Sequence, residues 1–178
     1  MAIEKPVYRT VDSRNGIEVR DYEPYWIAEC RVDRTSDLND ASNRAFGSLF
    51  RYISGDNSAG QKIAMTAPVQ QVPSDLGWLV SFVVPRDVAE GDIPFPISSA
   101  ITLKMVPAGR FAALVYSGAW NGEKFAAMSA KLLAAVSTMS LLPDGPVFSA
   151  VYNPPFMPPF LRRNEVLVRV ARNPEKSD

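Results

Sequence analysis

The sequence contains no histidine at all. That removes the Ser-His-Asp and Cys-His catalytic arrangements and every histidine-ligated metal site. Cysteine is almost as scarce. Cys30 stands alone, which excludes an intrachain disulfide and the usual four-ligand cysteine zinc site. No sign of charge is in excess: lysine plus arginine and aspartate plus glutamate number 19 each, so the broad basic footprint of a nucleic-acid binder is missing. No apolar run approaches the length of a membrane span, and Met1-Ala2-Ile3-Glu4-Lys5-Pro6 carries no apolar signal segment. The expectation is a soluble, cytoplasmic protein with no nucleic-acid partner and no membrane span; an oligomer stays open.

What is present is an ordinary globular composition in 178 residues, enough for one domain, 1–178, with a sizeable core. Ile17–Tyr22 and Tyr25–Val32 read as strands, broken at Pro24. Ser36 or Asp37 can cap a helix reaching about Ser54, because Leu38, Ala41, Ala45, Phe46, Leu49, Phe50 and Ile53 recur at helical spacing. Strands are expected at about Thr66–Val72, Trp78–Pro85, Ile101–Val106, Arg110–Ser117, Val147–Tyr152 and Glu165–Ala171, with a second helix over Glu123–Leu141. Strand–helix–strand–strand thus occurs twice, in repeats at about 17–85 and 101–171, followed by a short tail, 172–178. Each helix has one apolar stripe to bury. The predicted class is therefore α+β, with duplicated units forming an antiparallel-rich sheet or distorted barrel, two long helices on one face and the other face free.

Two stretches carry chemistry-bearing residues at fixed spacing. One runs from Tyr52-Ile53-Ser54-Gly55-Asp56-Asn57 into Lys62-Ile63-Ala64-Met65-Thr66-Ala67-Pro68-Val69. The other is Tyr152-Asn153-Pro154-Pro155-Phe156-Met157-Pro158-Pro159-Phe160-Leu161-Arg162-Arg163-Asn164-Glu165-Val166. With Ile17-Glu18-Val19-Arg20-Asp21-Tyr22, they make a chain that resembles the SOUL family of haem-binding proteins over about residues 6–171. The resemblance implies a fold shared with GyrI-like multidrug-binding domains. It also implies haem, or another tetrapyrrole, as a small-molecule ligand in an apolar cleft between the first helix and the loop ahead of the last strand. One branch of the family uses a histidine as axial ligand and another does not; this chain is similar to the second. Arg51 falls where haem-binding relatives carry a basic residue, whereas the lysine common in their last loop is replaced here by Met157-Pro158.

The residues can be read without the resemblance. A porphyrin needs a wide apolar slab and cations near its two carboxylates. Phe46 and Phe50 on the helix flank, with Arg51, could supply both; the plain alternative is a solvated arginine beside core phenylalanines. Lys62 flanks the first motif, and Met65 is either a core filler at a strand start or a thioether ligand. In the loop, Phe156, Met157, Phe160 and Leu161 sit among four prolines ahead of Arg162 and Arg163. They read as a ligand lip, or equally as packing or a subunit contact. Val166, Val168 and Val170 should face the helices, leaving Glu165 on the free sheet face, where it could attract planar cationic ligands or pair with Arg162 or Arg163. Tyr116, Trp120 and Tyr152 line such a cleft or belong to the core. No nucleophile and base stand at a convincing spacing, so no catalytic residue and no metal ligand is assigned, and a non-enzymatic binder is expected.

Overall fold

The computed structural model describes residues 2–172. In chain order the elements are β1 (Tyr8–Arg14), β2 (Ile17–Tyr22), β3 (Tyr25–Asp33), α1 (Leu38–Ile53), β4 (Val69–Ser74), β5 (Gly77–Val83), α2 (Arg86–Glu90), β6 (Ile101–Val106), β7 (Gly109–Tyr116), α3 (Gly122–Ser137), β8 (Leu141–Pro143), β9 (Phe148–Val151) and β10 (Asn164–Arg172). The class is α+β, as the sequence pattern predicts. Among the described residues, no helix is long and apolar enough to cross a membrane.

The chain divides into two compact units. The first takes the residues up to Pro6 together with Pro24–Pro107, and the second takes Val7–Glu23 together with the chain from Ala108 onward. In the first, an antiparallel sheet runs β4-β5-β3-β6. In the second, the antiparallel order is β1-β2-β7-β10-β9, with β8 pairing the C-terminal end of β10. The element spacing recurs with some regularity: β2, β3 and α1 begin at Ile17, Tyr25 and Leu38, and β6, β7 and α3 at Ile101, Gly109 and Gly122, an offset of 84 residues each time. The units nevertheless differ from the contiguous repeats 17–85 and 101–171. β2 pairs with β7, and β6 with β3, so the leading strand of each repeat completes the sheet built from the other.

Helix α1 starts where the Asp37 side chain accepts the Asp40 N–H at 2.8 Å, an N-cap that satisfies one of the first free donors. Leu38, Ala41, Ala45, Leu49, Tyr52 and Ile53 are buried along one stripe. Asn121 caps α3 in the same way, through Lys124 N–H at 2.8 Å. α3 packs Leu132 and Val136 against Val19, Ala112, Val166, Val168 and Val170, so the valines of β10 do face the helix.

Some elements differ from the sequence reading. α3 ends at Ser137 rather than Leu141: the Ser137 and Thr138 hydroxyls donate back to the Ala134 and Ala135 carbonyls, and Ser140 adopts a left-handed φ of 54° that turns the chain into β8. β4 begins at Val69 rather than Thr66. β1 carries no readable alternation because it is largely exposed, an edge strand joined to β2 through Asn15-Gly16, both at positive φ.

Candidate functional site

Asn57 organises the first motif. Its buried side chain donates to the Tyr52 and Gln61 carbonyls at 2.9 and 2.8 Å and accepts from the Ala59 and Gln61 N–H groups at 3.2 and 3.1 Å. Those bonds close the end of α1 onto the following loop. Ile63, also buried, donates its N–H to the Ile53 carbonyl at 2.8 Å. Thr66 Oγ1 donates to the Val83 carbonyl at 2.6 Å, and Ala67 N–H to the Glu4 carbonyl at 2.9 Å. Ala67 and Pro68, joined by a cis peptide, are buried. The motif is thus mostly architecture, tying α1 to the strands. Lys62, Ala64 and Met65 are what it leaves exposed. Met65, at 47% exposure, is not a core filler. It lies ahead of β4, where no strand alternation directs it inward.

The outer flank of α1 presents an aromatic shelf. Phe46 and Phe50 stand one turn apart, their rings 5.7 Å between centroids and 15° from parallel, and both are about half exposed. Phe46 also meets Phe82 of β5 edge-on at 5.9 Å, which fixes its orientation against the sheet. Beside them, Gly47 has nothing within 4 Å of where a Cβ would stand, so the flank is open. Arg51 and Lys62 are exposed and form no ion pair among the described residues.

In the second unit, the loop 154–163 holds itself in shape. Arg162 donates to the Met157 and Pro155 carbonyls at 2.8 and 2.6 Å, and Gly118 N–H to the Pro159 carbonyl at 2.9 Å. Phe156 and Phe160 point outward, at 85% and 75% exposure, while Met157 is half-buried. Arg162 is therefore a brace of its own loop.

Glu165 is fully buried on the sheet face opposite α3. Arg20 grips its carboxylate with two parallel bonds, Nη1 to Oε2 at 2.9 Å and Nη2 to Oε1 at 3.0 Å. Arg163 donates Nε and Nη2 to Oε1 at 3.1 and 2.6 Å, and the Tyr152 hydroxyl donates to Oε2 at 3.1 Å. Arg20 is itself fully buried, with further bonds to Glu18 (2.7 Å) and the Tyr22 hydroxyl (3.1 Å), and lies over the Tyr8 ring at 4.4 Å. Arg163 stacks over Tyr152 at 4.8 Å. Burial alone would push the Glu165 carboxyl up, but the bonds and charges of Arg20 and Arg163 outweigh it and hold the group below the ordinary glutamate value. Burial pushes the Tyr152 hydroxyl up, and the Glu165 charge adds to that.

Of the two arginines that the sequence offers to Glu165, Arg163 is the partner and Arg162 turns to its own loop, whereas Arg20, which grips both carboxylate oxygens, is not legible in the sequence. Alternation in β2 does put Glu18, Arg20 and Tyr22 on one face, which flags the arginine but names no partner. Of the three aromatic residues that the sequence leaves open between the Glu165 cleft and the core, Tyr152 reaches Glu165, whereas Tyr116 and Trp120 lie on the other side of the sheet. Tyr116 pairs in register with Asn164, not Glu165, so alternation sends it to the α3 side, where it packs on the core. Its buried hydroxyl has no hydrogen-bond partner among the described residues, and burial pushes it up to about 12. Trp120 donates its indole N–H to Ser149 at 3.1 Å, and Ser149 pairs with Val166 on that same side.

A family model described as SOUL heme-binding protein matches residues 3–169. The chain belongs to the SOUL haem-binding family. Heme-binding protein 1 of Bos taurus is 30% identical over 140 residues, covering 72% of this chain and 70% of that protein, and Heme-binding protein 1 of Sus scrofa is 27% identical over 136 residues, covering 72% and 71%. In structure, the EcmrR C-terminal domain matches with a TM-score of 0.67 at 10% identity, covering 93% of this chain and 99% of that domain, a likeness of fold. The SOUL family is described by what it binds, not by a reaction. The shelf fits the apolar and cationic needs of a tetrapyrrole: stacked phenylalanines, an open flank, and two exposed cations in the same unit. The donor set for iron is poor. Histidine is absent, Cys30 is buried with its thiol pushed up by burial, and among the described residues no three His, Cys, Asp or Glu side chains are grouped to hold a metal ion.

Proposed function

We propose that this SOUL protein binds haem or a related tetrapyrrole by packing and charge, with no histidine ligand. The observation that carries the reading is the half-exposed Phe46–Phe50 pair, a flat apolar surface on the outside of a helix whose core stripe is already satisfied. Covering the remaining half of each ring, roughly 100 Å² apiece, contributes up to about 2.5 kcal/mol per ring. That exceeds what an exposed ion pair gives, so packing is the main source of affinity and Arg51 with Lys62 orient the ligand's carboxylates. The shelf serves better than the loop 154–163 for a physical reason. Phe156 and Phe160 offer apolar surface there, but Arg162 and Arg163 are already engaged by carbonyls and by Glu165.

The same geometry counts against a planar cation drawn to Glu165. Its two oxygens accept five bonds from Arg20, Arg163 and Tyr152, and the neighbouring guanidinium groups cancel its charge.

Titration with hemin, followed through the Soret band, tests the proposal. A saturable shift is expected, weakened about tenfold or more in Phe50→Ala and less in Arg51→Gln. Met65→Leu should leave the spectrum unchanged, because the thioether is not required as a ligand. No saturable shift, or affinity indifferent to Phe50 and Arg51 together, sinks the reading.

A further inference from the structure

The second unit carries a cavity that the tetrapyrrole reading does not use. It lies on the α3 side of the sheet, the face opposite Glu165, and measures about 630 Å³. Its origin is the early end of α3. α3, ending at Ser137, contributes no residue to the cavity lining; Arg110 and Arg172, which alternation places on the helix side of the sheet with Val19, line it instead. Thr138, Met139 and Ser140, leaving the helix, form one wall. Met139 and Val19 belong to the buried core and give the cavity an apolar floor, which Leu141 extends.

Three guanidinium groups line this space against one carboxylate. Arg110 is paired with Asp21 through bonds of 2.7 and 2.9 Å, and Arg14 with Asp12 at 3.0 Å. Arg172 has no partner among the described residues. The carbonyls at the end of α3, which would otherwise favour these cations, already accept from Ser137, Thr138 and Met139. The volume falls within the range of small-molecule sites, about 300–1,000 Å³. We infer that the cavity is a binding site for a small amphiphilic anion, its apolar body on Val19, Met139 and Leu141 and its carboxylate or phosphate on Arg172 with Arg14 beside it. A guanidinium takes either oxyanion by paired N–H bonds, so the two headgroups share one recognition chemistry.

Decanoate, decyl phosphate and decanol, titrated calorimetrically into the full chain, distinguish the outcomes. Saturable binding of decanoate or decyl phosphate is expected, whichever headgroup fits better, with decanol at least tenfold weaker. Arg172→Gln, an exposed change that leaves the fold intact, should cost about tenfold for either anion and nothing for decanol; Arg14→Gln should act in the same direction. Equal binding of decanol and the anions, affinity unchanged in Arg172→Gln, or no binding by any of the three overturns the proposal. So does displacement of decanoate by one equivalent of hemin, because the cavity would then be the tetrapyrrole site.

Discussion

Arg20 and Glu165 face each other across 145 residues of sequence, joined by two parallel hydrogen bonds with neither side chain exposed to solvent. β7 lies between their strands, and its residue on this face between Phe111 and Val115 is Ala113. Around the pair, Tyr8, Tyr22, Tyr152 and Arg163 complete a polar cluster inside the second unit. Such a cluster does little for net stability while intact, because desolvation offsets the attraction, yet it is costly to break.

Removing one partner should therefore be severe. Glu165→Gln or Arg20→Met leaves an uncompensated buried charge or strands its partners, and each should cost about 3–5 kcal/mol in chemical denaturation. Arg163→Met should cost less, since its side chain is 38% exposed and Arg20 still neutralises the glutamate. In the double variant Arg20→Met with Glu165→Leu the loss should fall well short of the sum of the single losses. Additive losses would show that the two residues act independently.

The same cluster gives the protein an acid-labile element. Glu165 titrates below the ordinary glutamate value when folded, so the unfolded chain binds its proton more readily. Its contribution is fully present above the unfolded value, about 4.3, and disappears as pH falls through the lower folded value. Stability should thus decline on acidification below about pH 4.3, and Glu165→Gln should flatten that decline while lowering stability at neutral pH. Denaturant midpoints measured from pH 3 to 7, with about one proton difference between wild type and variant on the acid limb, check the assignment.

Asn57 should matter more than any exposed residue of its motif. Its side-chain amide makes four bonds to backbone groups, three of them to the loop that follows α1. Asn57→Ala leaves buried donors and acceptors unmatched and should cost about 2–3 kcal/mol. Lys62→Ala, on the exposed side, should change stability little. Thermal denaturation of the two variants separates a framework role from a surface one.

Much of this molecule is legible in its sequence, and the reason is periodicity. The stripe of α1 and the valines at alternate positions of β10 fix which faces are buried, so the α+β class and the side of the sheet on which Glu165 stands follow directly. Polar edge strands such as β1 lack that signal, and only Asn15-Gly16 marks its hairpin. The Arg20 partnership is long-range: strand alternation shows an arginine pointing inward but not which strand brings its carboxylate. For Tyr116 the sequence leaves cleft and core open because register, not residue type, decides the face, and register between β7 and β10 is not written in either strand alone. The Lys62–Val69 motif identifies the family well, yet its buried residues serve the backbone, so it marks the neighbourhood of the shelf more than its chemistry.

The shelf itself can be separated from the fold, because its two rings are not equivalent. Phe46 contacts both Phe50 and Phe82, so Phe46→Ala removes an anchor against β5 and should lower stability by about 1–2 kcal/mol as well as weaken hemin binding. Phe50 stacks on Phe46 and is 49% exposed. Phe50→Ala should cost under about 1 kcal/mol in stability, within the range of a single aromatic pair, yet reduce hemin affinity about tenfold. Phe50→Leu keeps apolar area but loses the flat face, and should recover only part of the affinity. Measuring denaturation and hemin titration on the same three variants reads both quantities. If affinity follows stability across the series, the rings matter only for the fold; if Phe50→Ala is stable and binds poorly, the outer ring is ligand surface.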